Sequence, residues 1–172
     1  MKILKYIQIK PTDIKGNLIR QIASDWMLVT AGDKHKFNTM TANWGGVGYL
    51  WNKHVVFVFV RPERYTYQFI ENSGGFTLSF FEEKYRDALN LCGSKSGRDC
   101  DKVAEASLTP HFTELGHPAF REARLVLECR KLYAEALGKS SFVDEELLKI
   151  HYSTKGGIHK MYIAEIVRVW VK

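Results

Sequence analysis

Three polar segments of the sequence carry residue types that could bind a phosphate and a flat ring. They are NTMTANW (residues 38–44), RPERYT (residues 61–66) and CGSKSGRDCDK (residues 92–102). The first combines hydroxyl and amide side chains with a tryptophan, and the other two are rich in cations. Each lies where a predicted strand or helix begins or ends, so all three are candidates for one binding site.

The cations and hydroxyls of the second and third segments suit a phosphate. A phosphate is bound by free N–H groups at a helix N-terminus, by hydroxyl donors and by one or two cations. The candidates are Arg61, Arg64 and Thr66 near a predicted helix start, and Ser94, Lys95, Ser96 and Arg98. The GxxxxGK[ST] spacing of a P-loop and the GxGxxG turn of a Rossmann fold are both missing from the sequence.

The first segment suits a flat heteroaromatic ring. Such a ring needs apolar or aromatic walls and a few backbone hydrogen bonds. Met40, Trp44 and Tyr65 could form the walls, and the backbone of residues 39–43 could supply the hydrogen bonds if it lies at a strand edge. Together the three segments predict a nucleotide-like ligand. Each taken alone also fits a simpler interpretation: a solvated strand face, a helix start with surface arginines, or a flexible loop.

Composition narrows the classes of function. The formal charge of +6 is spread along 172 residues without a block of like charges, which argues against nucleic-acid binding. The longest apolar run, HVVFVFV, is too short to cross a membrane. Three cysteines without a CxxC spacing, behind a charged opening segment, predict a reduced, cytoplasmic protein. The six histidines show no HxxxH or HExxH spacing, so we expect no metal site.

The elements predicted to position these segments are mainly strands. Alternating or β-branched patterns predict strands over residues 25–33, 36–44, 55–62 and 75–81, the third of them buried on both faces. Apolar residues at helical spacing predict helices over residues 63–75 and 82–93, and a short helix from Asp99.

The C-terminal part has a different character. Residues 123–137 fit a helix by propensity and equally a strand with a bulge, whereas residues 146–171 are predicted to form strands around a Gly-Gly turn. Strands spaced by 8–12 residues, with few helices, indicate a β-barrel that carries helices. The sequence therefore predicts one domain over residues 1–172, mainly β with helices.

At these motifs the sequence resembles a known family. NTMTANWGGVGYLWNKHVVFVFVRPERYTYQFIENSGGFTLSFF, followed by LCGSKSGRDCDK, is similar to the flavin reductase-like, flavoredoxin-type proteins. The resemblance covers residues 25–170. It implies an FMN-binding split β-barrel, usually a homodimer with FMN near the subunit interface.

The resemblance also implies which residues meet the cofactor. The segment matching NTMTANW would line the isoalloxazine and ribityl chain, RPERYT would contribute to the phosphate and ring site, and SKSGRD with Lys102 would close over the phosphate. The implied set is Asn38, Thr39, Met40, Thr41, Asn43, Trp44, Arg61, Pro62, Arg64, Tyr65, Thr66, Ser94, Lys95, Ser96, Arg98 and Lys102.

One histidine takes a further position of the family pattern. GGIHKMYIAEIV resembles the family's GDH-x(4)-GEV motif, in which His159 would lie near the flavin or the nicotinamide. Gly157 and Ile158 separate Gly156 from His159, and Ala164 replaces a glycine of the motif. His159 is the candidate catalytic residue.

The function implied is electron transfer from NAD(P)H through FMN to an acceptor. The cofactor would perform the redox chemistry, and the protein would bind and tune it. Two alternatives remain open from the sequence. The chain could be a passive FMN-binding electron carrier or flavin-storage module that does not oxidise NAD(P)H, or an interaction domain without a ligand.

Overall fold

The computed structural model of the protein describes residues 6–153 and 156–172. Ten strands account for most of the regular structure. They are β1 (Ile7–Ile9), β2 (Met27–Gly32), β3 (Phe37–Ala42), β4 (Gly45–Leu50), β5 (Lys53–Val60), β6 (Gly75–Phe80), β7 (Pro110–Phe112), β8 (Pro118–Phe120), β9 (Leu125–Ala136) and β10 (Lys160–Val171).

The helices are short and lie between the strands. They are α1 (Leu18–Arg20), α2 (Tyr65–Asn72), α3 (Arg86–Ser94), α4 (Lys102–Glu105) and α5 (Glu145–Tyr152), with a π-helical turn at Gln21–Asp25 and 3-10 turns at Pro11–Asp13, Glu83–Tyr85 and Lys139–Ser141. Asp101 begins α4 as its N-cap, because its side chain accepts hydrogen bonds from the N–H groups of Val103 and Ala104.

The main sheet is antiparallel and holds eight strands in the order β3-β2-β6-β9-β10-β5-β4, with β1 also paired to β10. Strand β10 is central, because it pairs with β9 on one side and with β5 on the other. Without it, the strands would divide into β3-β2-β6-β9 and β5-β4. Strands β7 and β8 form a separate hairpin.

Both faces of the sheet are covered. Met27 and Val29 belong to one buried apolar cluster, while Leu28 between them belongs to the other. Successive side chains of a strand point to opposite faces. The sheet therefore separates two cores, which position β3, the end of β5 and the start of α2 beside one another.

Most of the predicted elements are confirmed. Strands β2, β3, β5 and β6 and helices α2 and α3 lie within a few residues of their predicted bounds. The segment with two interpretations is strand β9, and its register with β10 shifts twice, as a bulged strand requires. The short helix predicted from Asp99 begins at Lys102.

Two expectations were wrong, and one strand was missed. Residues 146–152, predicted as a strand, belong to helix α5. In β5, Val56, Val58 and Val60 are buried on one face, but on the other Val55 is buried while Phe57 and Phe59 are only half-buried, so the second face is not fully covered. The glycine-rich segment that follows Trp44 contains strand β4, for which no element was predicted. Within the described ranges, no helix combines the length and the apolar character needed to cross a bilayer.

Candidate functional site

Strand β3 is an edge strand of the described sheet, and its free edge faces the candidate site. The carbonyl of Thr39 accepts a hydrogen bond from Nζ of Lys102 at 2.6 Å and one from Nδ2 of Asn38 at 3.2 Å. That carbonyl therefore points away from β2. Because alternate residues of a strand direct their backbone groups to the same side, Thr41 also presents its N–H and carbonyl at this edge.

The hydroxyls of Thr39 and Thr41 are already used within the protein. Oγ1 of Thr39 lies 2.8 Å from Oγ1 of Thr30 in a fully buried contact, and the hydroxyl of Thr41 donates to the carbonyl of Leu89. What these two threonines can offer a ligand is consequently their backbone.

The carbonyls of Leu89, in the middle of α3, and of Cys92 and Gly93, in its last turn, anchor three of the predicted site residues. Thr41 donates to the carbonyl of Leu89, Nζ of Lys102 to that of Cys92 at 3.0 Å, and Nη2 of Arg64 to that of Gly93 at 3.0 Å. A helix C-terminus carries a partial negative charge, which attracts cations. Lys102 is only 4 % exposed, and burial lowers the pKa of both Lys102 and Arg64.

A first cavity, of about 180 Å³, lies at the start of α2. It is lined by Met40, Glu63, Arg64, Tyr65, Thr66, Ser94, Lys95, Ser96, Arg98 and Lys102. Arg64 is the N-cap of α2 and makes no side-chain cap. In the first helical turn the N–H of Tyr67 donates to the carbonyl of Arg64 at 2.9 Å, whereas those of Tyr65 and Thr66 precede the first intrahelical acceptor. This end of the site offers the donors and cations that an anion requires.

Several polar side chains of this cavity already form hydrogen bonds or an ion pair within the protein. Ser94 donates to the carbonyl of Asn90 at 2.9 Å, and Lys95 pairs with Glu105. Thr66 accepts a hydrogen bond from Asn38 at 2.7 Å, and Ser96 accepts one from the N–H of Arg98 at 3.2 Å. Thr66 and Ser96 thus keep their hydroxyl protons for donation to a ligand.

Arg98 holds the loop after α3 against the start of α2. Its Nη1 donates to the carbonyl of Glu63 at 3.2 Å, and its guanidinium lies 4.7 Å from the centre of the Tyr65 ring. A guanidinium over an aromatic face is a favourable cation–π contact. Its side chain is exposed and borders the cavity.

A second cavity, of about 260 Å³, adjoins the first. It is lined by Met40, Thr41, Ala42, Asn43, Trp44, Phe59, Arg61, Arg64 and His159. We call it the ring-end cavity and the first one the phosphate-end cavity. Both are bordered by Met40 and Arg64, so they form one groove, whose combined volume lies within the range of about 300–1,000 Å³ for ligand pockets.

Aromatic side chains meet at the mouth of the ring-end cavity. The ring of Trp44 lies 5.0 Å from that of His159 and 5.1 Å from that of His151, and Nδ1 of His159 lies 2.8 Å from the hydroxyl of Tyr152. Burial, followed by the charges of Arg61 and His151, lowers the pKa of His159 to about 4. His159 is therefore neutral at pH 7.

The groove gathers most of the residues predicted from the sequence. The exceptions are Asn38, Thr39 and Pro62, none of which lines either cavity. Asn38 donates a hydrogen bond to Thr66 and borders a separate cavity of about 650 Å³. The side chain of Thr39 faces Thr30. Pro62 lies close to Gly157.

The structure also changes the arrangement expected from the sequence. Arg61, predicted among the phosphate-binding cations, borders only the ring-end cavity, and Lys102 uses its ammonium group on two backbone carbonyls. Ala42, Phe59 and Glu63 line the groove although they were not among the predicted site residues. Their positions in the sequence were a signal for all three, because Ala42 and Glu63 lie within NTMTANW and RPERYT and Phe59 lies two residues before Arg61.

The fold belongs to a known class of domain. Residues 19–172 match the family model described as flavin reductase like domain. The chain belongs to the flavin reductase-like family, and the resemblance seen in the sequence is confirmed.

Solved structures agree with this assignment. The chain is similar to the flavoredoxin of Desulfovibrio vulgaris (Miyazaki F), with 25 % identity and a TM-score of 0.67 over 92 % of this chain and 77 % of that one. It is similar to a flavoredoxin from Methanosarcina acetivorans, with 24 % identity and a TM-score of 0.66 over 86 % and 68 %. A third, an FMN-binding domain of a flavin reductases-like enzyme from Shewanella baltica OS155, is 19 % identical, with a TM-score of 0.69 over 97 % and 77 %. The fold is accordingly the mainly β split barrel with helices.

Proposed function

We propose that the chain binds FMN in this groove and acts as a flavin-dependent oxidoreductase that takes electrons from NAD(P)H. The observation that carries the proposal is the junction of the two cavities at Met40 and Arg64. One end has aromatic and apolar walls beside a free strand edge, and the other has cations and hydroxyls at a helix start. A ligand with a flat ring and a phosphate fits both ends.

At the phosphate end, four groups would hold the anion. The guanidinium groups of Arg64 and Arg98 supply charge, and the hydroxyls of Thr66 and Ser96 supply donors. Charge-assisted hydrogen bonds of this kind contribute about 1.5–3 kcal/mol each. The unoccupied N–H groups at the start of α2 add to the binding.

At the ring end, the backbone edge of β3 would fix the orientation of the ring. The N–H of Thr41 faces the cavity edge, Met40, Trp44 and Phe59 form walls, and His159 is a neutral imidazole at the mouth. Bound FMN would supply the chemistry of hydride acceptance and electron transfer. The residues of this chain bind, orient and partly enclose it, and none is required to act as a general base.

A second candidate function uses the same groove. A passive FMN-binding carrier or storage module needs the ring and phosphate ends but no access for a pyridine nucleotide. The half-exposed face of Trp44, beside His159, favours the reductase because it leaves the ring end open to a second planar molecule. Anaerobic mixing with NADH and with NADPH separates the two: rapid loss of the blue absorbance supports a reductase, and no loss with either donor supports the carrier.

We also propose that the chain forms a homodimer and that it is located in the cytoplasm. Exposed aromatic side chains on the β4–β5 hairpin and on β9, namely Tyr49, Trp51 and Tyr133, suit a surface that is covered in an assembly. The three cysteines are unpaired thiols, as a reducing compartment requires. Light scattering of the protein would give a mass near twice 19.8 kDa, and a monomer would contradict this part of the proposal.

Flavin binding is tested by titrating the protein with FMN and following flavin fluorescence. We expect the double variant Arg98→Ala, Ser96→Ala to bind FMN at least tenfold more weakly and riboflavin, which lacks the phosphate, about as well as the unchanged protein. Lys149→Ala, an exposed cation on α5, is the matched control and should change neither affinity. Equal weakening for FMN and riboflavin would mean that the phosphate binds elsewhere, and an unchanged protein that takes up no FMN would exclude the function.

A further inference from the structure

Arg61 directs its charge towards the ring end of the groove. Its Nη2 donates to the carbonyl of His151 at 2.6 Å, and its guanidinium lies 5.3 Å from the centre of the Tyr152 ring. Both residues lie in the last turn of α5, where the backbone carbonyls carry a partial negative charge. These contacts keep Arg61 out of the phosphate-end cavity and beside Trp44, Phe59 and His159, with which it lines the ring-end cavity.

The lining of the ring-end cavity is cationic. Among the described residues that line it there are two arginines and no carboxylate. Glu63 is the acidic residue closest in sequence, and its Oε1 accepts a hydrogen bond from the N–H of Gly157. The same oxygen and Nη1 of Arg61 lie 3.1 and 3.2 Å from the point where a β-carbon on Gly156 would stand, but within the described ranges the two side chains form no ion pair. His159, the other titratable group of the cavity, is neutral at pH 7.

We propose that Arg61 sets the reduction potential of a flavin bound in the groove, an inference that rests on the proposed function. Reduction by two electrons with uptake of one proton adds one negative charge to the flavin ring and leaves its phosphate unchanged. A cation at the ring end therefore stabilises the reduced form more than the oxidised form, because the attraction grows with the charge on the ring. Arg98, at the phosphate end, attracts both forms equally.

The difference between the two arginines gives a direct test. The midpoint potential of bound FMN is measured by anaerobic dye-linked titration in the unchanged protein and in Arg61→Gln, Arg61→Lys and Arg98→Gln. In Arg61→Gln we expect the affinity for reduced FMN to fall about tenfold relative to that for oxidised FMN, which lowers the two-electron potential by about 30 mV. Arg61→Lys, which keeps the charge, should retain most of the potential. Arg98→Gln should weaken FMN binding and leave the potential unchanged.

Each contrary result would overturn a separate part of the proposal. An unchanged or higher potential in Arg61→Gln would show that the charge does not act on the ring. An equal loss in Arg61→Gln and Arg61→Lys would show that Arg61 acts through its contacts with α5 and not through its charge. Arg61→Met replaces the glutamine variant if that one does not fold. If the unchanged protein binds no flavin, the proposed function fails, and this inference fails with it.

Discussion

The hydroxyl oxygen of Tyr152 lies 2.8 Å from Nδ1 of His159. Burial raises the pKa of Tyr152, so the phenol stays protonated and can donate a hydrogen bond to Nδ1. In that arrangement the single proton of the neutral imidazole is on Nε2, which we predict. We expect nitrogen chemical shifts to report this tautomer at pH 7, and Tyr152→Phe to change the balance between the two tautomers. A ring protonated at both nitrogens at pH 7 would contradict the assignment.

The depressed pKa of His159 also predicts how stability depends on pH. Its pKa is about 4 in the folded protein and 6.5 in the reference state, so the unfolded chain binds more protons between these values. The contribution of the neutral ring is complete above pH 6.5 and is lost as the pH falls towards 4. Urea unfolding of His159→Asn should show a weaker pH dependence in this range. His35→Asn, in the exposed hairpin after β2, should keep the dependence of the unchanged protein.

Lys102 should be important for stability, because its ammonium group satisfies two carbonyls that are otherwise enclosed. In Lys102→Met the carbonyl of Cys92 loses the Lys102 ammonium, and that of Thr39 keeps only its bond from Asn38. A buried unsatisfied group costs about 1–3 kcal/mol. We expect a loss of about 2 kcal/mol in the free energy of unfolding. Lys149→Met, on the exposed face of α5, should be neutral. A more stable Lys102→Met would mean that the cost of burying the charge exceeds the value of its hydrogen bonds.

The surroundings of Glu128, which lies outside the groove, predict a second contribution to the free energy of unfolding that is lost in acid. It is fully buried, accepts hydrogen bonds from Thr113 and from Nδ1 of His117 at 3.0 Å, and lies 3.6 Å from Arg168. Burial alone would raise its pKa, but the hydrogen bonds from His117 and Thr113 and the nearby charges lower it. The stabilisation is present above the unfolded pKa of 4.5 and is lost as the pH falls through the lower folded value.

Glu128→Gln should therefore lower the free energy of unfolding by about 2–4 kcal/mol at pH 7. The difference from the unchanged protein should shrink as the pH falls below 4.5, because the unfolded carboxylate takes up its proton there while the folded one stays charged to a lower pH. Glu114→Gln removes an exposed carboxylate from the same Arg168 and should cost at most about 1 kcal/mol. Chemical unfolding at pH 7 and pH 4 measures both, and a difference that does not depend on pH would contradict the explanation.

Gly97 should be required for the loop after α3 to pack against Asn38 at the phosphate-end cavity. A β-carbon at this position would overlap Oδ1 of Asn38 and lie 3.1 Å from the Tyr65 ring. Asn38 is buried and bonded to Thr66, so it has little room to move. We expect Gly97→Ala to displace the loop after α3 and to weaken FMN more than tenfold. In Gly74→Ala the added carbon meets nothing within 4 Å, and FMN affinity should not change. Equal affinities in the two variants would exclude a tight contact at Gly97.

The sequence identified the elements whose patterns are local. Strand β5 and helix α2 are decided by the burial of side chains near in sequence, and both elements were predicted, although β5 was expected to be buried on both faces. Helix α5 was predicted as a strand together with the β-branched residues of β10 that follow it. Those signals were present: Asp144 is the N-cap, acidic residues fill the first turn, and Lys149 and His151 lie in the last. Strand β4 has three glycines in six residues, and its pairing with β5 outweighs their low strand propensity.

Most residues that line the candidate groove could be predicted from the sequence, but the directions of their side chains could not. Motif order was enough to bring Met40, Arg64 and Arg98 to one groove. The direction of Arg61 was not predictable, because it depends on the carbonyl of His151, 90 positions along the chain. Lys102 was expected at a phosphate, yet its ammonium group supports the backbone of β3. Such choices are made by tertiary contacts, which residue types and spacing do not encode directly.

The central position of β10 has a consequence for how the protein is made. Strand β3, which forms one wall of the groove, and Arg61, which follows β5, lie on opposite sides of the division that β10 bridges. During synthesis, β10 is the last of the sheet strands to leave the ribosome. The pairing that joins β5 and β4 to the rest of the sheet therefore forms only after β10 has emerged, and until then helix α2, which packs on β2 and β3, links the two parts of the groove.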